Sequence, residues 1–99
     1  MARTAEPVDH AAEDTYWREN YHREPYYEEG QPYEYYAVLY RIGYEGRGRF
    51  GDRSFEDAEP ELQAEYERTR DSSSPSWEEG RHAVRAAWHR LDHMFPDSD

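Results

Sequence analysis

Ten of the chain's 99 residues are tyrosine, and Leu, Ile, Val and Phe together supply only ten more. That ratio constrains the fold more than any motif does. A chain with so few aliphatic side chains and a formal net charge of −11 ordinarily stays unfolded, because it buries too little apolar surface to offset chain entropy. Ten Tyr and three Trp argue the other way. Each buries a large ring while its hydroxyl or indole N–H stays bonded or wet. The expected core is aromatic, thin and partly polar. A domain this small is marginal alone, which points to a protein partner or to self-association.

Several chemistries are excluded by what is missing. Without cysteine there is no disulfide, thiolate zinc site or cysteine nucleophile. Without lysine there is no Schiff-base chemistry and no phosphate-loop lysine. No run approaches the ~18 apolar residues of a membrane helix. The segment MARTAEPVDHAAED has no apolar stretch of the secretory kind, so a cytoplasmic location is expected. All twelve basic residues are arginine, which fits either the codon usage of a GC-rich genome or a salt-adapted acidic surface.

Periodicity divides the chain. Residues 1–13 read as a flexible tail and 96–99 as a flexible end, leaving one small domain over 14–95. Within it, residues 14–44 form a tyrosine-rich arm that carries nine of the ten tyrosines. Residues 45–53, EGRGRFGDR, read as a Gly/Arg loop, and 54–95 as a helical hairpin. Phe55, Ala58, Leu62, Tyr66 and Thr69 recur on one helical face, which predicts a helix near 56–70. Ser54 and Asp57 resemble a capping box, and Pro60 places the regular start of this helix at Asp57. Ser76-Trp77-Glu78-Glu79 is a full S-x-x-E box, and Trp77, Val84, Trp88, Leu91 and Phe95 share a stripe, which predicts a second helix near 77–94. The expected core joins Phe55, Leu62 and Tyr66 to Trp77, Val84, Trp88 and Leu91 in an antiparallel all-α hairpin, with Trp88 buried between the two helices. Residues 33–44 are apolar on every side, which fits a buried helix or a buried strand. The helix is preferred, because no second strong strand is available to pair with it. Asp14–His22 reads as a short helix capped by Asp14.

Three blocks carry a resemblance. They are Trp17-Arg18-x-x-Tyr21 with Arg23-Glu24-Pro25-Tyr26; Tyr33-x-x-Tyr36-x-x-x-Tyr40-Arg41-x-Gly43; and Glu59-x-x-Leu62 with Trp77-Glu78-x-x-Arg81-x-Ala83-Val84-Arg85-x-Ala87-Trp88-x-Arg90. Over roughly residues 14–92 this pattern resembles small, acidic bacterial proteins with no established activity, some of which accompany general stress-response genes. The resemblance implies a stress-related accessory role and no catalytic residues. Gly80 departs from the Ala expected there, and Ala37-Val38-Leu39 stands in place of a Pro-containing stretch.

Few constellations could carry chemistry. His82, His89 and His93 lie on one helical stripe at +7 and +4, a spacing that allows at most a weak surface metal site. Glu56, Asp57, Glu59 and Glu61 crowd a helix N-terminus, where the dipole favours the anion and opposes general-acid work. Ser72, Ser73 and Ser74 have no base nearby. Arg47, Arg49 and Arg53 around Phe50 are too few to offset the acidic field for phosphate binding. The expected function is therefore non-enzymatic, with no cofactor and no small-molecule substrate. Trp17, Tyr21, Tyr26, Tyr27, Tyr36 and Tyr40 would present an acidic aromatic surface to a protein partner or to a second copy. The alternative is an acidic mimic of nucleic acid that occupies the basic groove of a DNA- or RNA-binding protein.

Overall fold

The computed structural model describes residues 8–94, which form four helices and, among the described residues, no strand. They are α1 (His10–Asn20), α2 (Tyr33–Arg49), α3 (Phe55–Thr69) and α4 (Trp77–Met94), with a single 3-10 turn at Tyr21–Arg23. Among the described residues no helix is long and apolar enough to cross a membrane.

Local chemistry sets each start. The Asp9 carboxylate accepts from Ala12 N, Ser54 Oγ from Asp57 N and Ser76 Oγ from Glu79 N. Each satisfies one of the orphan donors of a first turn. Helix α1 therefore begins four residues before Asp14, inside the segment read as tail; residues 1–7 lie outside the described residues. Helix α3 begins at Phe55 rather than Asp57 and carries Pro60 inside it. Its first turn holds because Ser54 caps it and Phe55, 1% exposed, is pinned edge-on against Trp88.

The largest departure from the sequence reading is at 45–53. Helix α2 continues through Glu45-Gly46-Arg47-Gly48-Arg49, and only residues 50–54 connect it to α3. Two glycines in a helix cost about 2 kcal/mol against alanine. Tertiary contact offsets that cost: Arg47 reaches Asp92 of α4 with Nε to Oδ1 at 2.7 Å, and Arg49 reaches Glu65 of α3 at 2.9 Å.

Helix α2 is the hub, touching α1, α3 and α4. Its contacts with α4 advance together along both chains: Leu39 lies on Gly80, Gly43 on Val84 and Ala87, and Arg47 beside Asp92. The two helices are therefore parallel. A Cβ on Gly43 would strike the Val84 carbonyl and come within 2.8 Å of the Ala87 Cβ, so this crossing depends on the missing side chain. Helix α3 meets α4 in the opposite sense, Phe55 against Trp88 and Tyr66 against Trp77. The hairpin interface is nonetheless the lesser one, because α4 packs chiefly on α2. The reason is that glycines on α2 permit closer approach than the bulkier face of α3. Helix α1 runs antiparallel to α2, with His10 beside Tyr44 and Trp17 stacked on Tyr40.

The core is aromatic. Phe55, Leu62, Tyr66, Trp77, Val84, Trp88 and Leu91 are buried, as are Trp17, Tyr33, Tyr36, Tyr40 and Tyr44. Each such ring removes roughly 150–250 Å² from water, about 4–6 kcal/mol before chain entropy is set against it.

Candidate functional site

The tyrosines are placed by two demands at once. Their rings fill the space between α1, α2 and the connection at residues 24–32, and their hydroxyls satisfy that connection's backbone. Tyr36 Oη accepts from Glu28 N at 2.8 Å, Tyr27 Oη accepts from Gly30 N at 3.1 Å, and Tyr21 Oη donates to the Gln31 carbonyl at 3.2 Å. Tyr26 and Tyr40 share a hydrogen bond between their hydroxyls at 2.6 Å. Burial, helped by neighbouring phenols and carboxylates, holds the Tyr26, Tyr33 and Tyr40 hydroxyls well above the ordinary tyrosine range.

This overturns part of the expected interaction surface. Trp17, Tyr36 and Tyr40 are interior, at 3%, 4% and 0% exposure, and Tyr21, Tyr26 and Tyr27 are half-buried against them. A folded connection with few internal backbone bonds needs partners for its polar groups, and the tyrosine hydroxyls supply them. Tyr35 is half-exposed too, with Ala37 and Val38 beside it on the outer side of α2.

Charge is segregated along the molecule. Because α2 and α4 are parallel and α1 and α3 run against them, one end gathers the N-termini of α2 and α4 with the connections at 24–32 and 70–76. Segment 24–35 carries Glu24, Glu28, Glu29 and Glu34 and no arginine, and segment 70–79 carries Asp71, Glu78 and Glu79 with a single arginine, Arg70. Among the described residues none of these acids forms an ion pair. At this end Glu67 pairs with Arg70 at 3.5 Å, and most of the other acids paired to arginine lie elsewhere. Arg53 bonds Asp57 and Glu61, Arg85 lies 3.6 Å from Glu56, and Arg90 holds buried Glu13 at 3.1 Å. The acids at the open end are stabilised instead by the helix N-termini that several of them occupy.

A cleft of about 500 Å³ opens between the two acidic segments, lined by Gln31, Pro32, Glu34, Tyr35 and Val38 on one wall and Thr69, Asp71, Ser73 and Ser74 on the other. A shallower hollow of about 320 Å³ lies across Val38, lined by Asp14, Glu34, Ala37, Arg41 and Tyr44. Asp71 is preorganised, accepting from Ser73 N and Ser73 Oγ at 2.9 and 2.7 Å, and these bonds hold its carboxyl below its ordinary pKa. The Tyr35 hydroxyl is raised by partial burial and by the nearby charges of Glu28 and Glu79. The serines that sequence reading set aside as a plain turn thus organise a carboxylate, which adjacency within Asp71-Ser-Ser-Ser could have signalled.

The remaining candidates have structural partners. Glu59 binds Arg81 through both oxygens at 2.6 and 3.0 Å and accepts from Trp77 Nε1 at 3.0 Å. The Arg81 guanidinium beside it lowers its carboxyl. Arg49 and Arg53 flank the Phe50 ring at 4.9 and 5.0 Å, with their charges answered by Glu65, Asp57 and Glu61. His82, His89 and His93 are exposed. His82 lies parallel to the Tyr26 ring at 6.5 Å, and His89 Nδ1 lies 3.3 Å from Asp92. Among the described residues no three His, Asp or Glu side chains converge on a point that could hold a metal. Sequence reasoning missed Glu13, Tyr35 and Arg90. No local pattern announces the Glu13–Arg90 pair, whose members stand 77 residues apart.

Compared with family models, with curated proteins and with solved structures, the chain matches none.

Proposed function

We propose that this chain is a non-enzymatic binding protein that holds an arginine- or lysine-rich segment of a protein partner, met in the cytoplasm, against its acidic end. In this reading the α3–α4 hairpin and the tyrosine-rich segment are the two walls of one receptor cleft. The observation that carries it is the cleft itself. A half-exposed Tyr35 lies between Glu34 and Asp71, neither of which pairs with an arginine among the described residues; Arg70 at the edge of the cleft is itself engaged by Glu67 and the Ser74 carbonyl. A cationic side chain entering it gains charge-assisted hydrogen bonds from Glu34 and Asp71 and a ring face from Tyr35. The mimic reading is less well supported, because the acids of α3 are interleaved with Arg53, Arg81 and Arg85 rather than arrayed alone. Self-association through this end is opposed by the repulsion between two copies of the same acidic segments.

Calorimetric titration with an arginine-rich peptide, at low and high salt, tests the proposal. Binding should weaken as salt rises and should fall in a Glu34→Gln/Asp71→Asn double variant. Equal affinity in that variant would count against the cleft, and no binding to any basic peptide would remove the proposal.

A further inference from the structure

The binding cleft makes no use of the buried aromatic rings, and three of them, Trp17, Tyr40 and Tyr33, lie in series. Tyr16, half-exposed on α1, sits edge-on to Trp17 with ring centroids 4.9 Å apart. Trp17 stacks on Tyr40 at 4.3 Å with planes 8° apart, and Tyr40 lies nearly parallel to Tyr33 at 6.2 Å and 12°. Tyr33 Oη then donates to Asp14 Oδ1 at 2.8 Å, and the other oxygen of Asp14 faces Arg18 Nη2 at 3.3 Å. The series leads from surface to interior and ends on a phenol hydrogen-bonded to a carboxylate. We propose that it is a one-electron relay, carrying an oxidising equivalent from Trp17, which lies edge-on to Tyr16, through Tyr40 to Tyr33, where Asp14 takes the phenol proton.

Proton bookkeeping sets the direction. An oxidised indole or phenol is stable as a radical only once its proton has somewhere to go. Trp17 Nε1 is buried and has no acceptor among the described residues, so a hole on Trp17 stays a radical cation and moves on. Tyr40 shares its hydroxyl proton only with Tyr26, another phenol. Among the buried members Trp17, Tyr40 and Tyr33, only Tyr33 faces a carboxylate, which makes it the resting place. Cysteine, the sulfur group that most readily absorbs oxidants, is absent from the chain.

The step balances with a diffusible one-electron oxidant such as a peroxyl radical, which takes one electron and leaves as its anion. Tyr33 gives up that electron, its O–H bond breaks, and the proton passes to Asp14 Oδ1, leaving a neutral phenoxyl and a neutral carboxyl. A thiolate returns one electron and leaves as a thiyl radical, while the proton goes back from Asp14 to Tyr33.

Pulse radiolysis with the azide radical, which oxidises indoles in preference to phenols, tests this on the whole protein. In the native chain the indolyl absorption should be replaced by phenoxyl absorption at a rate independent of protein concentration and slowed in deuterated water. Tyr33→Phe, which removes one hydroxyl, should abolish most of the phenoxyl yield, and Tyr27→Phe should not. Asp14→Asn should slow the transfer by about a hundredfold, the lower range for a positioned proton acceptor. Circular dichroism would confirm that each variant keeps its helices; if Asp14→Asn unfolds, the isotope effect and Tyr33→Phe still decide. A phenoxyl yield unchanged in Tyr33→Phe, a transfer rate that rises with protein concentration, or no isotope effect would overturn the relay.

Discussion

The hydroxyls of Tyr26 and Tyr40 share one hydrogen bond, 2.6 Å long, beneath the connection that joins α1 to α2. Neither phenol can ionise without placing a charge beside the other in a poorly hydrated site. Their folded-state pKa values, with that of Tyr33, are raised by burial above the unfolded value of about 10. The sign follows from linkage. Below that unfolded value both states keep the proton and stability is fully present. Above it the unfolded chain releases the proton while the folded one retains it, so stability falls as pH rises. Each phenol kept protonated costs about 1.4 kcal/mol per pH unit in that window. The melting temperature should therefore drop steeply above about pH 10, with phenolate absorption appearing together with loss of helix. Tyrosines that all ionise near their ordinary pKa while the helices persist would contradict this packing.

Trp88 contacts Phe55 from α3 and lies beside Gly46 of α2, with 1% of its surface exposed. Trp88→Ala should cost roughly 3–5 kcal/mol, the range for a large aromatic lost from a core. Chemical denaturation measures it directly, and an unchanged midpoint would remove the model of the core.

Gly43→Ala tests the parallel crossing of α2 on α4. Alanine is intrinsically better in a helix by about 1 kcal/mol. Here the added methyl meets the Val84 carbonyl, a backbone atom that can yield only if the helices part. The expected outcome is a net loss of about 1–3 kcal/mol, as for overpacking elsewhere. A gain in melting temperature would mean that α2 and α4 do not approach this closely.

Glu59 is held by Arg81 and the Trp77 indole, and the guanidinium keeps its carboxyl below the ordinary glutamate value. A depressed carboxyl adds stability above the unfolded pKa and loses it as pH falls through the folded one. Glu59→Gln should therefore destabilise the protein at neutral pH by about 1–3 kcal/mol and flatten part of its acid denaturation curve. Parallel acid curves for the native protein and the variant would show that the pair contributes nothing to pH dependence.

Zinc titration addresses the histidines on α4. With His82 stacked on Tyr26 and His89 directed at Asp92, the expected binding is weak and insensitive to His82→Ala. Submicromolar affinity lost on His89→Ala would assign this face a metal site.

The helical signals legible in the sequence were those completed within a few residues. Ser76 caps α4 through Glu79 three residues on, and the stripe from Trp77 to Leu91 marks one face of a single helix, so its span could be read without knowing its neighbours. The scarcity of aliphatic residues likewise determined that any core here would be aromatic. Tertiary structure alone decided that Gly46 and Gly48 lie inside a helix, because the contacts that offset their poor propensity come from α3 and α4. It also decided which aromatic rings turn inward. Helical spacing puts Tyr33, Tyr36 and Tyr40 on one face and Tyr35 off it, but with apolar residues on every side it does not say which face turns inward. The stack of Trp17 on Tyr40 and the connection at residues 24–32 bury the first face and leave Tyr35 beside the cleft. Caps and periodicity act within one turn of chain, whereas burial and charge segregation depend on which distant segments meet.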